Sequence, residues 1–192
     1  QTCALPILTF KYSFSNGMKS IDGMPSVLSG IPMFIEPFFL TPSSLNTVSS
    51  IGGELGKKGY YTAFFHGADN GSMGFEAFAR TAGYTHYFGR TEYNEANPDN
   101  KDFDGHWGIW DEKFFQFFGN TLSGFQQPFA AALFSLSSHH PFAVPAEYEG
   151  VFPKGNKPIR QCIGYTDNAL KLFFEKVSKE PWYKNTLFVF TA

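Results

Sequence analysis

This 192-residue sequence has little charge, little cysteine and no long apolar run. Charged residues make up 17% and the formal net charge is −2, which leaves no basic footprint for nucleic acid. No stretch reaches the roughly 18 apolar residues that a membrane span needs. Cysteine occurs twice, at Cys3 and Cys162. The opening residues "QTCALPI" show neither the positive region nor the small-residue cleavage site of a signal peptide. Read back as codons, they match one frame of a widely used sequencing adapter. Residues 1–7 are therefore expected to be a library scar and are set apart from the fold. Cys162 is then the one genuine cysteine, and a single thiol forms no intramolecular disulfide.

Aromatic residues, by contrast, are abundant. They make up 19% of the chain, with 24 Phe, within a hydrophobic content of 43%. That suits one domain with a thick core and some apolar surface left for a neighbour.

Helical and strand periods alternate along the chain. Residues 41–59 read as a helix capped by Ser43 or Ser44, with Leu45, Val48, Ile51 and Leu55 on one face. "YYTAFF" (60–65) reads as a strand and "GFEAFARTAG" (74–83) as a short helix. "DEKFFQFFGN" (111–120) reads as a helix stopped by Gly119-Asn120. "PFAAALFSLS" (128–137) suits a central strand, residues 159–179 a helix, and "TLFVF" (186–190) a last strand. Alternation of this kind predicts an α/β domain with a mostly parallel, buried sheet. Chemistry in such sheets sits at the carboxyl ends of strands.

Four stretches hold residues suited to chemistry. In "SNGMKSIDGMPSVLSGIP" (15–32), Ser20 lies at or beside a helix N-terminus. It is either an N-cap or a nucleophile whose phosphoryl target meets the helix N–H groups. In "SLSSHHPF" (135–142), a His pair follows an apolar strand, and adjacent strand residues point to opposite faces. "FFHGADNGSMGF" (64–75) sets His66, Asp69 and Asn70 in a Gly-rich turn. "NKDFDGHWGIWDEKFF" (100–115) gathers Asp102, Asp104, His106 and Asp111 around two Trp residues. A capped helix start at Asp111 is preferred there over a metal site.

In this order, the stretches resemble the sulfatase-like domain of lipoteichoic acid synthase-type phosphoglycerol transferases, within the alkaline phosphatase superfamily. The matching pieces are "G-x-K-[ST]", "FHG", "D-x-x-WG-x-x-D", "S-x-H-x-P" and "NT-x-F-V". The resemblance implies an alkaline phosphatase-like three-layer α/β domain with a mostly parallel central sheet flanked by helices. It also implies that residues 8–192 are part of that catalytic domain, truncated at both ends.

Carried over residue by residue, Ser20 falls on the nucleophile and first metal ligand. His139, His66 and Asn70 fall on substrate binding. Met73 and Phe75 stand where the synthases place Trp and Arg for the phosphate, which departs from a glycerol-phosphate pattern. Aligning "VLSG" (27–30) with the "LxTG" of sulfatases puts Ser20 at their oxidised position. Asp22 and Met24 then replace the Pro and Arg of "C-x-P-x-R", so the formylglycine signature is missing.

The implied activity is metal-dependent phosphotransfer in the bacterial envelope through a phospho-Ser20 intermediate. The implied cofactor is Mn2+, with Zn2+, Mg2+ or Ca2+ as alternatives. The implied substrate is a phospholipid or glycan phosphodiester. Anchoring would come from membrane helices N-terminal to this segment, with the catalytic domain outside the cytoplasmic membrane. The remaining metal ligands, a Glu upstream and an Asp-His downstream, would fall outside the 192 residues, so the segment alone is expected to be inactive. The rival readings are a sulfatase or phosphodiesterase of the same fold, and an inactive glycan- or lipid-binding envelope domain.

Overall fold

The computed structural model describes residues 8–33 and 35–191; the expected adapter scar at residues 1–7 lies outside them. Among the described residues, six α-helices and three strands run in the order α1 (Ser20–Ser29), α2 (Ile51–Gly56), β1 (Tyr61–His66), α3 (Phe75–Thr81), β2 (His86–Phe88), α4 (Arg90–Ala96), α5 (Asp111–Ser123), β3 (Phe129–Phe134) and α6 (Ile159–Val177). The three described strands pair in parallel, in the order β2-β1-β3. β1 pairs with β3 from Tyr61↔Phe129 to His66↔Phe134, so both strands finish at the same level.

The period of two along β1 divides the molecule into layers. Phe64 points to one face and joins Met24 of α1 with Phe75 and Phe78 of α3. Ala63 and Phe65 point to the other face and meet Tyr93, Ile109 and Phe114. A third cluster ties α5 to α6 through Phe115, Leu122, Ala169, Phe173 and Val177. The result is a three-layer α/β arrangement with the sheet between helices, as expected.

Four elements differ from the sequence reading. Residues 41–59 are not one helix. A 3-10 turn covers Pro42–Leu45, and the α-helix begins only at Ile51. Its cap is Ser50, whose hydroxyl accepts the Gly53 N–H (3.0 Å) and donates to Ala82 O. Val48 stays outside the helix because its N–H bonds to Thr81 O (3.3 Å) and its side chain packs on the Phe64 cluster.

α5 runs through Gly119-Asn120 to Ser123. Gly119 is a contact point rather than a stop: a Cβ there would lie 3.1 Å from Val177 Cγ1. β3 is an edge strand among the described strands, half-buried along its length, where a central strand was expected. Residues 186–190 pair with no strand among the described residues. Phe188 packs on Phe174 (5.1 Å) and Tyr183 (5.3 Å), so aromatic contact with the α6 layer holds this segment in place of a ladder.

Candidate active site

A shallow cleft opens at the carboxyl ends of β1 and β3, where a parallel sheet presents side chains. Ser20, His66 and His139 all line it, although they are far apart in sequence. Ser20 is the first residue of α1. It is exposed, and its hydroxyl has no hydrogen-bond partner among the described residues. The N-cap role belongs instead to Lys19, whose N–H donates to Asp22 Oδ2 (3.0 Å). Asp22 itself is buried, and a Cβ at Gly17 (φ 128°) would lie 2.5 Å from it. Gly17 and Asp22 therefore shape the loop so that the Ser20 hydroxyl stays free. Asp22 and Met24 are also core residues, 3% and 2% exposed, so the departures from the formylglycine signature are built into packing.

His66 closes β1 and is 5% exposed. Its ring contacts Phe75 (4.5 Å) and Phe134 (5.5 Å). Nδ1 lies 3.0 Å from Phe134 O, which can only accept, so Nδ1 carries the proton. Burial pushes the His66 pKa down, outweighing the bond to Phe134. The ring is therefore neutral at pH 7, and Nε2 is left as an acceptor with no hydrogen-bond partner among the described residues. His139 is exposed and lies 4.5 Å from the Trp107 ring. His140 does not line the cleft; its ring lies against Phe142.

Asn70, expected at the substrate, does not line the cleft. Its Nδ2 donates to Glu92 (3.1 Å) and its Oδ1 accepts the Thr91 N–H (3.2 Å). It ties the Gly-rich loop to the start of α4. Met73 and Phe75 do line the cleft, giving it an apolar wall.

The Asp-rich stretch is structural scaffolding for Trp107. Asp102 accepts from Tyr93 OH (2.6 Å). Asp104 Oδ1 accepts the N–H groups of His106 (2.8 Å), Trp107 (2.7 Å) and Gly108 (3.0 Å). The Trp107 indole N–H then donates to His140 O. Gly108 crosses the chain at Ala68 so closely that any Cβ would overlap Gly67 O. Trp107 was not among the site residues expected from sequence; the signal for it was "WG", an aromatic followed by a residue that permits this crossing. Asp111 does not cap α5 with its side chain. It reaches instead to the turn after β3.

No group of three or more His, Cys, Asp or Glu side chains among the described residues is arranged to hold a metal ion. Ser20, His66 and His139 do not amount to a metal-ligand set, and the expected metal does not fit these residues alone.

A sulfatase family model matches residues 3–192. The chain belongs to the sulfatase family. Lipoteichoic acid synthase 2 of Bacillus subtilis is 28% identical over 152 residues, covering 75% of this chain and 22% of the relative. Phosphoglycerol transferase I of Escherichia coli is 26% identical over 189 residues, covering 90% and 24%. This sulfatase-family chain thus spans less than a quarter of the length of either relative.

Among solved structures, an alkaline phosphatase superfamily protein from Vibrio parahaemolyticus superposes with a TM-score of 0.76 at 24% identity over 88% of this chain and 41% of its own. A lipoteichoic acid synthase from Listeria monocytogenes gives 0.69 at 22% over 86% and 41%. The fold is that of the alkaline phosphatase superfamily. No helix among the described residues is long and apolar enough to cross a membrane.

Proposed function

We propose that the complete protein is a phosphotransferase of the bacterial envelope that moves a phosphoglycerol- or phosphoethanolamine-type group through a covalent phospho-Ser20 intermediate. The observation that carries this reading is Ser20: an exposed, unpartnered hydroxyl at the first residue of α1, on one cleft with His66 and His139. The names of the relatives, lipoteichoic acid synthase and phosphoglycerol transferase, support transfer over sulfate ester hydrolysis. So do Asp22 and Met24, which leave no formylglycine signature around Ser20.

In this reading the Ser20 oxygen attacks phosphorus, and the bond to the leaving alkoxide breaks as the Oγ–P bond forms. The hydroxyl proton ends on the leaving oxygen. An acceptor hydroxyl then attacks phosphorus, and Ser20 regains a proton as its bond to phosphorus breaks. The α1 N-terminus favours the negative charge of the phosphoryl group. Neutral His66 offers Nε2 as a hydrogen-bond acceptor on the cleft, and His139 offers a second imidazole. A divalent cation, Mn2+ before Zn2+, Mg2+ or Ca2+, belongs to this reading of the complete protein, with Ser20 as its one ligand among the described residues. The substrate is a phospholipid or glycan phosphodiester, and the catalytic domain is extracytoplasmic, anchored by membrane helices outside this segment.

The test is peptide mass spectrometry on the full-length protein incubated with phosphatidylglycerol and manganese. A glycerol-phosphate adduct is expected on the Ser20 peptide, with neither adduct nor turnover in Ser20→Ala. Undiminished turnover in Ser20→Ala would remove Ser20 as nucleophile.

A further inference from the structure

We propose that Asp111 is a positioning residue that holds the His139 turn and Trp107 at the cleft. Asp111 is 2% exposed and sits at the first residue of α5. Its Oδ1 accepts the Leu136 N–H (2.8 Å). Its Oδ2 accepts the Ser137 N–H (3.1 Å) and the Thr166 hydroxyl (3.2 Å). Its own N–H donates to Ser137 Oγ (2.9 Å). One carboxylate thus joins three elements: the α5 N-terminus, the turn after β3, and α6.

That turn supplies Ser135, Leu136 and His139 to the cleft, and His139 N–H bonds back to Leu136 O (3.2 Å). Trp107 lies four residues before Asp111 and packs on His139 from the other side. Fixing Leu136 and Ser137 to the start of α5 therefore fixes the imidazole against the indole.

The energetic cost of Asp111 points the same way. No basic side chain is bonded to it among the described residues, and a buried carboxylate without a cation is costly. The ionisable groups acting on it or feeling its charge are Asp104, Cys162 and Tyr165, none of them cationic. A neutral side chain of similar size could fill the volume. What only a carboxylate does here is accept two adjacent backbone N–H groups and a hydroxyl together.

The proposal rests on the reading of His139 as a substrate residue, so its test has one arm free of that reading. The Trp107 contribution to fluorescence, isolated by difference with Trp107→Phe, is followed at one fixed pH by acrylamide quenching, which reads how well His139 covers the indole. His139→Ala should raise the quenching constant. In Asp111→Asn with an unchanged circular dichroism spectrum, the constant should rise toward the His139→Ala value. Thr166→Val, which removes one bond and keeps the carboxylate, should raise it less, and carries the test if Asp111→Asn does not fold. A wild-type constant in both variants, or in Thr166→Val when Asp111→Asn is unfolded, would overturn the proposal. In full-length protein, kcat/KM should fall on the order of 100-fold in Asp111→Asn, the scale of a misplacement of about 1 Å. If Ser20→Ala retains turnover, the functional reading fails while the fluorescence arm still decides the role of Asp111.

Discussion

Asp111 and His66 are buried ionisable side chains whose proton affinities move in opposite directions. Burial pushes the Asp111 carboxyl from 3.8 up to about 6, against its bonds to Leu136, Ser137 and Thr166. Its folded state therefore holds the proton more tightly than the unfolded chain does. The stability it contributes is complete below about pH 4 and is lost as pH rises through about 6, on the order of 3 kcal/mol. His66 is lowered from 6.5 by burial, so its stability is present above that value and is lost as pH falls. Urea denaturation from pH 4 to 8 separates them. The stability of the wild type relative to Asp111→Asn should rise as pH falls. Its stability relative to His66→Gln should fall below about pH 6.5. Parallel curves for all three proteins would contradict both assignments. At this scale periodicity located Ser20, His66 and the His139-His140 pair beside helix or strand ends without choosing among them; the family resemblance singled out Ser20, His66 and His139, which the fold brings to one cleft. Asp111 was seen as a helix start, but its reach to Leu136 and Ser137 was not, because no sequence pattern records which backbone N–H groups a loop leaves open 25 residues away.

Two glycines set how closely elements approach. Gly119 faces Val177 across the α5–α6 contact, where Phe118 also stacks on Phe173 at 5.5 Å. Gly119→Val should cost about 1–3 kcal/mol through overpacking, measured as a lower melting temperature. Gly108→Ala should instead act on the site. It forces the Ala68 crossing apart and should raise acrylamide quenching of Trp107 in protein that remains folded. The sequence reading stopped α5 at Gly119 because glycine is a frequent helix terminator. The space between helices, not backbone propensity, requires it here. Residues 41–59 were misread for a related reason. Apolar spacing was continuous, but Val48 serves the core from extended backbone, and Ser50 rather than Ser43 or Ser44 holds the cap. The segment 186–190 has strand composition, yet a strand is a property of pairs, and composition does not supply the partner.

Across the whole molecule, apolar surface is unevenly covered. Leu8, Phe10, Tyr12 and Phe14 are 74–89% exposed, and Leu187 and Val189 are 86% and 76% exposed. Patches of this kind mark places where other chain or another molecule would pack. The 192-residue chain should therefore bind a hydrophobic dye and self-associate with rising concentration. Replacing Leu187 and Val189 by Lys should reduce both; sedimentation velocity and dye fluorescence would read the change, and unaltered values would locate the sticky surface elsewhere. The parallel ladder that ends at His66↔Phe134 has a further consequence. It works as a ruler: the height of the His66 ring is counted residue by residue from Tyr61↔Phe129. Added length in the loops above the cleft leaves that count untouched. A single residue inserted within β3 slips it, turns alternate side chains to the opposite layer and carries the Phe134 carbonyl away from the imidazole. Tolerance to insertion should thus fall sharply between the rim of the sheet and the strand beneath it.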